Sequence, residues 1–219
     1  MRFFIRISVV LLLLATFIFA CKKEESKTLI ITGCIIDGNQ NKAVADAEVT
    51  FWVSRMVNGT YNPDLIELSK VNTDASGNYS FNITKEKDAA YRITIDKAKY
   101  YSQLIDINVD DLPAGNHILN YNILPEAYFK LHVKNVNSFD VTDLILYNIN
   151  GKHPTIANCC NNGSNSGVGY SYDKTQICKT YGAQNIKIEW TVKRNGYTTS
   201  FDSTIYCIPF DTTKFDLNY

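Results

Sequence analysis

The chain has no net charge, few histidines, no catalytic signature and no apolar run long enough to cross a bilayer as a helix. Basic and acidic residues number 22 each; without residues 1–20, which hold Arg2 and Arg6, 20 basic groups face 22 acidic ones, a net of about −2. A nucleic-acid-binding surface needs a basic stripe, so no nucleic acid is expected as a partner. The longest apolar stretch, Ile7 to Phe19, is 13 residues broken only by Ser8 and Thr16, where a spanning helix needs roughly 20. His117, His132 and His153 fall far apart, outside any Gly-x-Ser-x-Gly or His-Glu-x-x-His setting. Gly167-Val168-Gly169 lies in a loop with no helix after it, so it is no phosphate cradle. No cofactor is expected, and the chain reads as non-enzymatic; an enzyme of unfamiliar type is the minor alternative.

Methionine and proline are also scarce, with 2 and 5 residues, whereas 14 Tyr and 11 Phe point towards pleated, half-buried surfaces. A length of 219 residues suits one large domain or two small ones. From Thr28 onward the apolar positions alternate with period 2. Thr28–Ile36 is apolar on both faces, and strands follow at Ala47–Val53, Leu65–Val71, Tyr79–Ile83, Tyr91–Ile95, Ile105–Val109 and Leu119–Ile123. Seven strands with regular turn signals and no helical period predict a β-sandwich over residues 28–124. Leu124-Pro125-Glu126 marks a boundary, because proline interrupts a ladder and the pattern restarts at once. Phe129–Val133, Leu144–Ile149, Ile186–Val192, Phe201–Cys207 and Phe215–Tyr219 then predict a second sandwich over residues 126–219, with Asn195-Gly196 as a two-residue hairpin and Asn158–Gly169 as a long loop. The fold class is all-β, two tandem β-sandwiches.

Arg2 and Arg6 followed by the short apolar run read as a secretory signal peptide over residues 1–20. Ala20-Cys21 at its end resembles the bacterial lipobox, which implies lipid on the Cys21 thiol and a membrane held through that anchor; an ordinary signal peptide is the alternative. Two or three acyl chains hold firmly, at about 0.8 kcal/mol per buried CH₂. Residues 21–27 form a charged tether. Its Lys23-Glu24-Glu25 resembles the surface-export signal of Bacteroidota lipoproteins, which implies an outer-membrane, cell-surface location.

Three further segments carry a second resemblance. Ile31-Thr32-Gly33-Cys34-Ile35-Ile36-Asp37, Ala43-Val44-Ala45-Asp46-Ala47-Glu48-Val49-Thr50 and Thr73-Asp74-Ala75-Ser76-Gly77-Asn78-Tyr79-Ser80-Phe81 together resemble the carboxypeptidase regulatory-like domain, in order and spacing. The resemblance implies a transthyretin-like (prealbumin-like) first sandwich and an accessory module without catalytic residues of its own. Asp74 is then a turn residue that satisfies nearby backbone N–H groups.

With Cys21 set aside, four of the remaining cysteines, Cys159, Cys160, Cys178 and Cys207, lie in the second domain. In an oxidising compartment two disulfides are expected, with three possible connectivities. A vicinal Cys159–Cys160 bridge is strained, so each is expected to reach Cys178 or Cys207, stabilising by roughly 2–4 kcal/mol per bridge. A metal site joined by His153 is the rival, but the spacing does not suit zinc and no metal is expected. Cys34 is expected to be a small buried hydrophobe. Asp202-Ser203-Thr204 and Asp211-Thr212-Thr213 resemble short O-glycosylation signals of Bacteroidota. Contact candidates for a glycan, peptide or protein ligand are Trp52 and Tyr206, on the polar phase of their strands, and Tyr170 and Tyr172, beside the cysteine-bearing loop; ordinary sheet-face packing is the alternative for each. The expected role is a surface binding or adhesion module, or else a spacer in an outer-membrane assembly.

Overall fold

The computed structural model describes residues 27–57, 60–152 and 163–219. Among these the chain is all-β apart from one 3₁₀ turn, Val109–Asp111. Its apolar residues gather into two cores, one from Leu29 to Ile123 and the other from Phe129 to Tyr219. Full burial of each Val, Leu, Ile or Phe side chain among them contributes about 1.5–3 kcal/mol.

The first core lies between two sheets. One is organised around β1 (Thr28–Asp37), with the short β2 (Lys42–Ala43) along its end. The other is built on β3 (Glu48–Val57), with β4 (Thr60–Tyr61) and β5 (Ile66–Asn72) on it. The chain then returns to β1 as β6 (Asn78–Thr84), antiparallel, and to β3 as β7 (Asp88–Asp96), which β8 (Gln103–Ile107) extends. Finally β9 (Gly115–Ile118) and β10 (Tyr121–Ile123) run parallel to successive halves of β1. Among its described residues this unit has ten strands where the alternation predicts seven. The extra ones are pieces of two to four residues, too short to carry a period, and Val109 opens the 3₁₀ turn rather than ending a strand.

Buried positions on β6 alternate strictly, Tyr79, Phe81 and Ile83 inward, as the pattern after the Asp74 turn requires. Asp74 Oδ1 accepts the N–H groups of Ser76 and Asn78 at 2.8 Å each, and Gly77 takes φ +77° to close the turn. Cys34, in contrast, is only half-buried: its thiol donates to the Ser76 carbonyl at 3.5 Å along the mouth of a shallow hollow instead of packing in the core. It lies on the β1 face away from Leu29, Ile31 and Ile35, which sets its exposure.

The second core is held by β11 (Glu126–Lys134), β12 (Leu144–Asn150), β13 (Asn165–Val168), β14 (Asp173–Tyr181), β15 (Gln184–Arg194), β16 (Tyr197–Cys207) and β17 (Thr212–Asn218). One sheet has three strands in the order β14-β11-β17, and the facing sheet has four, β13-β12-β15-β16. Gly167 and Val168 belong to β13, not to a loop. The missing side chain at Gly167 lets the Tyr172 ring lie against the strand, where an added Cβ would come within 2.4 Å of it. No disulfide occurs among the described residues. Cys178 and Cys207 are fully buried on opposite sheets of this core, and burial, followed by the neighbouring Cys178, pushes the Cys207 thiol up to about 11. Cys21, Cys159, Cys160 and His153 lie outside the described residues, so the lipid anchor and the crosslinks expected of them remain proposals.

The two cores meet through Pro125. Tyr100 packs edge-on against Phe210, and Tyr101 against Tyr181, with centroids 5.1 and 5.0 Å apart. The Lys179 ammonium sits 4.9 Å over the Tyr101 ring, whose hydroxyl donates to the Thr180 carbonyl at 3.0 Å. Asn39 Nδ2 donates to the Gly182 carbonyl at 2.7 Å, and the Gly182 N–H to the Pro125 carbonyl at 2.8 Å. Asp37, at the junction end of β1, is buried and accepts from the Asn39 and Gln40 backbone and from the Tyr100 hydroxyl.

Candidate functional site

The three-on-four pairing of sheets leaves part of the second sandwich uncovered. β16 is the fourth strand of its sheet, and its inner face, Tyr197, Thr199, Phe201, Ser203, Ile205 and Cys207, looks past the edge of β17. Near the turn that joins the two strands Cys207 is fully buried; Phe201 is 47% exposed and Tyr197, at the far end, 76%. The strands therefore diverge from their turn as a wedge. Its open end is a groove of about 520 Å³, lined by Asn137, Phe139, Trp190, Arg194, Tyr197, Phe201 and Tyr219 among others. That volume lies in the range of small-ligand sites, roughly 300–1,000 Å³.

Local sequence builds the wall of this groove. Asn195 and Gly196 adopt φ of 48° and 76°, the left-handed pair a tight hairpin needs. That turn sets the register, which brings Trp190 opposite Phe201. Their rings stack at 5.6 Å and 22°, and Phe215 of β17 closes edge-on at 6.4 Å behind Trp190. Phe139 and Tyr197 add further exposed rings, and the amides of Asn137, Asn195 and Asn218 with the Thr199 hydroxyl form the polar rim.

A buried ion pair holds the floor. Asp143 is fully buried, and its Oδ2 accepts from the Phe139 N–H at 2.8 Å, Asn135 Nδ2 at 2.9 Å and Arg194 Nε at 3.3 Å. Burial pushes the carboxyl up, but the Phe139 N–H, the Asn135 amide and the Arg194 guanidinium together outweigh it and hold Asp143 below the usual range. Arg194 also donates from Nη2 to Asn135 Oδ1 at 2.8 Å and lies 5.6 Å over the Tyr219 ring. Tyr219 is itself tied down by the N–H groups of Val136 and Asn137, which donate to its carbonyl. The polar side chains of the lining among the described residues are those of Asn137, Arg194, Asn195, Tyr197, Thr199, Asn218 and Tyr219, an arrangement of hydrogen-bonding groups around exposed rings.

The contact candidates read from sequence are scattered. Trp52 lies in the first unit, half-buried, its Nε1 donating to Thr94 Oγ1 at 3.0 Å. Tyr206 is exposed on the outer face of β16, near the junction. Tyr170 is exposed before β14, whereas Tyr172 packs on the second core, its hydroxyl 3.5 Å from that of Tyr147. None of the four lines the groove. The Trp190–Phe201 pair was within reach, because the Asn195-Gly196 turn alone fixes their register. His132 sits on the outer face of the three-stranded sheet, its ring nitrogens 2.8 Å from Asp173 and 3.1 Å from Asp216; hydrogen bonds to these two carboxylates, Asp173 first, raise its pKa. His117 is remote from it, against the Pro113 carbonyl. No group of three or more His, Cys, Asp or Glu side chains among the described residues is placed to hold a metal ion.

No family model and no curated protein matches the chain. Among solved structures it is similar to the shaft pilin SpaA from Lactobacillus rhamnosus GG, at 10% identity and TM-score 0.33 over 88% of this chain and 96% of that one. It is also similar to the Bacillus anthracis TIE protein, at 12% and 0.38 over 87% of this chain and 34% of that one. A third is 3-chlorocatechol 1,2-dioxygenase from Rhodococcus opacus 1CP, at 15% and 0.35 over 47% and 61%. The chain thus spans well under two thirds of the TIE protein and just under two thirds of the dioxygenase. Similarities of this size assign no activity.

Proposed function

We propose that this chain is a non-enzymatic binding module of the cell surface, held to an outer membrane by lipid on Cys21 and presenting its groove to a glycan, peptide or protein partner. The observation that carries this reading is the groove itself, which gathers exposed rings inside a rim of amides. Its position supports the reading. Thr28 is at the end of β1 away from the junction, and the groove is at the ends of β15 and β17 away from the junction. Each of β1 and β11 spans about 30 Å at 3.3 Å per residue. A chain tethered through residues 21–27 would carry the groove far from its anchor. The carboxypeptidase regulatory-like resemblance of the first unit fits an accessory role.

Two measurements test this. Mass spectrometry of the N-terminus should find acyl chains on Cys21; an unmodified thiol, or cleavage elsewhere, removes the anchor. Retention on immobilised glycans, peptides and outer-membrane extract should fall when Phe139, Tyr197 and Phe201 are replaced together by alanine. Equal retention by both proteins removes the groove from the reading. A spacer within an outer-membrane assembly is the second reading, favoured by the ring contacts and hydrogen bonds that fasten one unit to the other. A spacer would co-purify with one fixed partner and ignore free ligands.

A further inference from the structure

Resting on the binding-module reading, we infer that the groove takes an uncharged saccharide, with the apolar face of a sugar ring laid on Phe201 and Tyr197 and its hydroxyls on the asparagine rim. Charge selects against ionic ligands. Among the described residues Arg194 is the one charged side chain in the lining, and buried Asp143 already balances it from behind. Among the described side chains of the lining no uncompensated charge remains to attract an anion or a cation. The β17 edge offers no run of ladder bonds to an extended peptide, because the wedge closes towards the turn after Cys207 and of the β17 strand only Asn218 reaches the lining. The edge of β16 is the place a peptide would add, which the hexapeptides below test.

Chemistry then points to a sugar. An aromatic face carries partial negative charge, which suits the polarised C–H groups on one side of a pyranose ring. Sugar hydroxyls both donate and accept. Each asparagine amide offers two donors and an acceptor, and Thr199 offers one donor and an acceptor. The rings and the amides lie on different elements, and the Asp143–Arg194–Asn135 network fixes the β15 wall relative to the loop carrying Asn137 and Phe139. That part of the wall is therefore ordered before a ligand arrives, which lowers the entropic cost of binding.

The chain contains two tryptophans, so Trp52→Phe leaves Trp190, beneath the proposed sugar face, as the only reporter. The full chain carrying that change, in a non-glycosidic detergent, is titrated with cello-, malto-, manno- and chito-oligosaccharides, with oligogalacturonate, and with uncharged hexapeptides. A neutral saccharide should give a saturable change in Trp190 emission with Kd at or below about 1 mM. Phe201→Ala and Tyr197→Ala should each weaken binding about tenfold, the loss of one aromatic contact. Tyr128→Ala, on the outer face of the other sheet, should leave it unchanged. Because Tyr197 is mostly exposed, an unchanged melting curve for its variant separates lost binding from lost folding. No saturable change with any neutral saccharide up to about 10 mM, an excess over that Kd, overturns the inference. So does a response confined to oligogalacturonate. If the hexapeptides respond and Tyr197→Ala abolishes it, the saccharide falls while the binding module stands. If no probe and no component of an outer-membrane extract is sensitive to Tyr197 or Phe201, both fall.

Discussion

Replacing Arg194 by methionine tests the floor of the groove, since methionine keeps the apolar stem and removes the guanidinium. The change removes charged hydrogen bonds to Asp143 and Asn135, a loss of about 1.5–3 kcal/mol. It also removes the contact over Tyr219, a further 0.5–1 kcal/mol or so. Asp143 keeps the Phe139 N–H and the Asn135 amide, and the Arg194 side chain is 24% exposed, so solvent already screens part of the pair. A total of about 2–4 kcal/mol follows, at the lower edge of what breaking a buried pair costs. In urea, with a slope near 2 kcal/mol/M, the unfolding midpoint should drop by about 1–2 M.

The pH dependence makes this test decisive. In the native protein the Asp143 carboxyl lies below its ordinary value. Its contribution is therefore present above the unfolded pKa, about 3.9, and is lost as pH falls through the folded one. In the variant burial is less opposed, so the folded pKa moves up and protonation relieves an unpaired charge. The stability gap between the two proteins should be wide at pH 7 and narrow towards pH 3. Adding Asp143→Asn to the variant should recover part of the loss at pH 7. A gap of equal size at both pH values would refute the electrostatic account and leave packing as the cause.

Three further outcomes are expected. The His132 ring should titrate above the ordinary 6.5 by NMR, because Asp173 and Asp216 favour its charged form; its contribution is full below 6.5 and lost as pH rises through the raised value. Replacing both aspartates by asparagine should bring the midpoint back, and an unchanged midpoint would show that the two contacts do not form in solution. Gly33→Ala should destabilise by roughly 3 kcal/mol or more, since the added Cβ would lie 1.8 Å from the Leu119 carbonyl oxygen in tightly packed backbone. Gly196→Ala meets nothing within 4 Å and should cost only about 1 kcal/mol for its positive φ, so equal thermal shifts for the two would contradict the close-approach argument. Tyr101→Ala removes a ring contact, a cation–π contact and a hydrogen bond across the junction, together about 2–3 kcal/mol. Limited proteolysis between residues 97 and 125 should then accelerate while both sandwiches persist; unaltered cleavage would place the coupling elsewhere.

Much of this architecture was legible because its periods are local. Ile186, Ile188 and Val192 face inward as the alternation requires, the Asn195-Gly196 turn closes its hairpin, and Asp74 caps its own turn. The groove was not legible, although half its wall was. Phe201 lies on the core-facing side of β16, as its period indicates, yet it is half exposed because the opposing sheet stops one strand short. That depends on β17 pairing with β11, a contact across more than eighty residues that no local pattern encodes. The break at Leu119-Asn120 was equally hidden. There the chain steps from one half of β1 to the other, and the Asn120 side chain accepts the Cys34 N–H at 2.9 Å.

The pairing around β1 has a mechanical consequence. A pull on Lys27 runs along the axis of this strand, which has β6 antiparallel over seven register positions, then β9 parallel over four and β10 over three. Force in that direction slides the strand past its neighbours, so its cross-strand bonds share the load and must give way together instead of opening one by one. β1 would hold under tension as a lap joint does, and a load borne at the far end of the molecule would find its first yielding point elsewhere, at the aromatic contacts between the two cores.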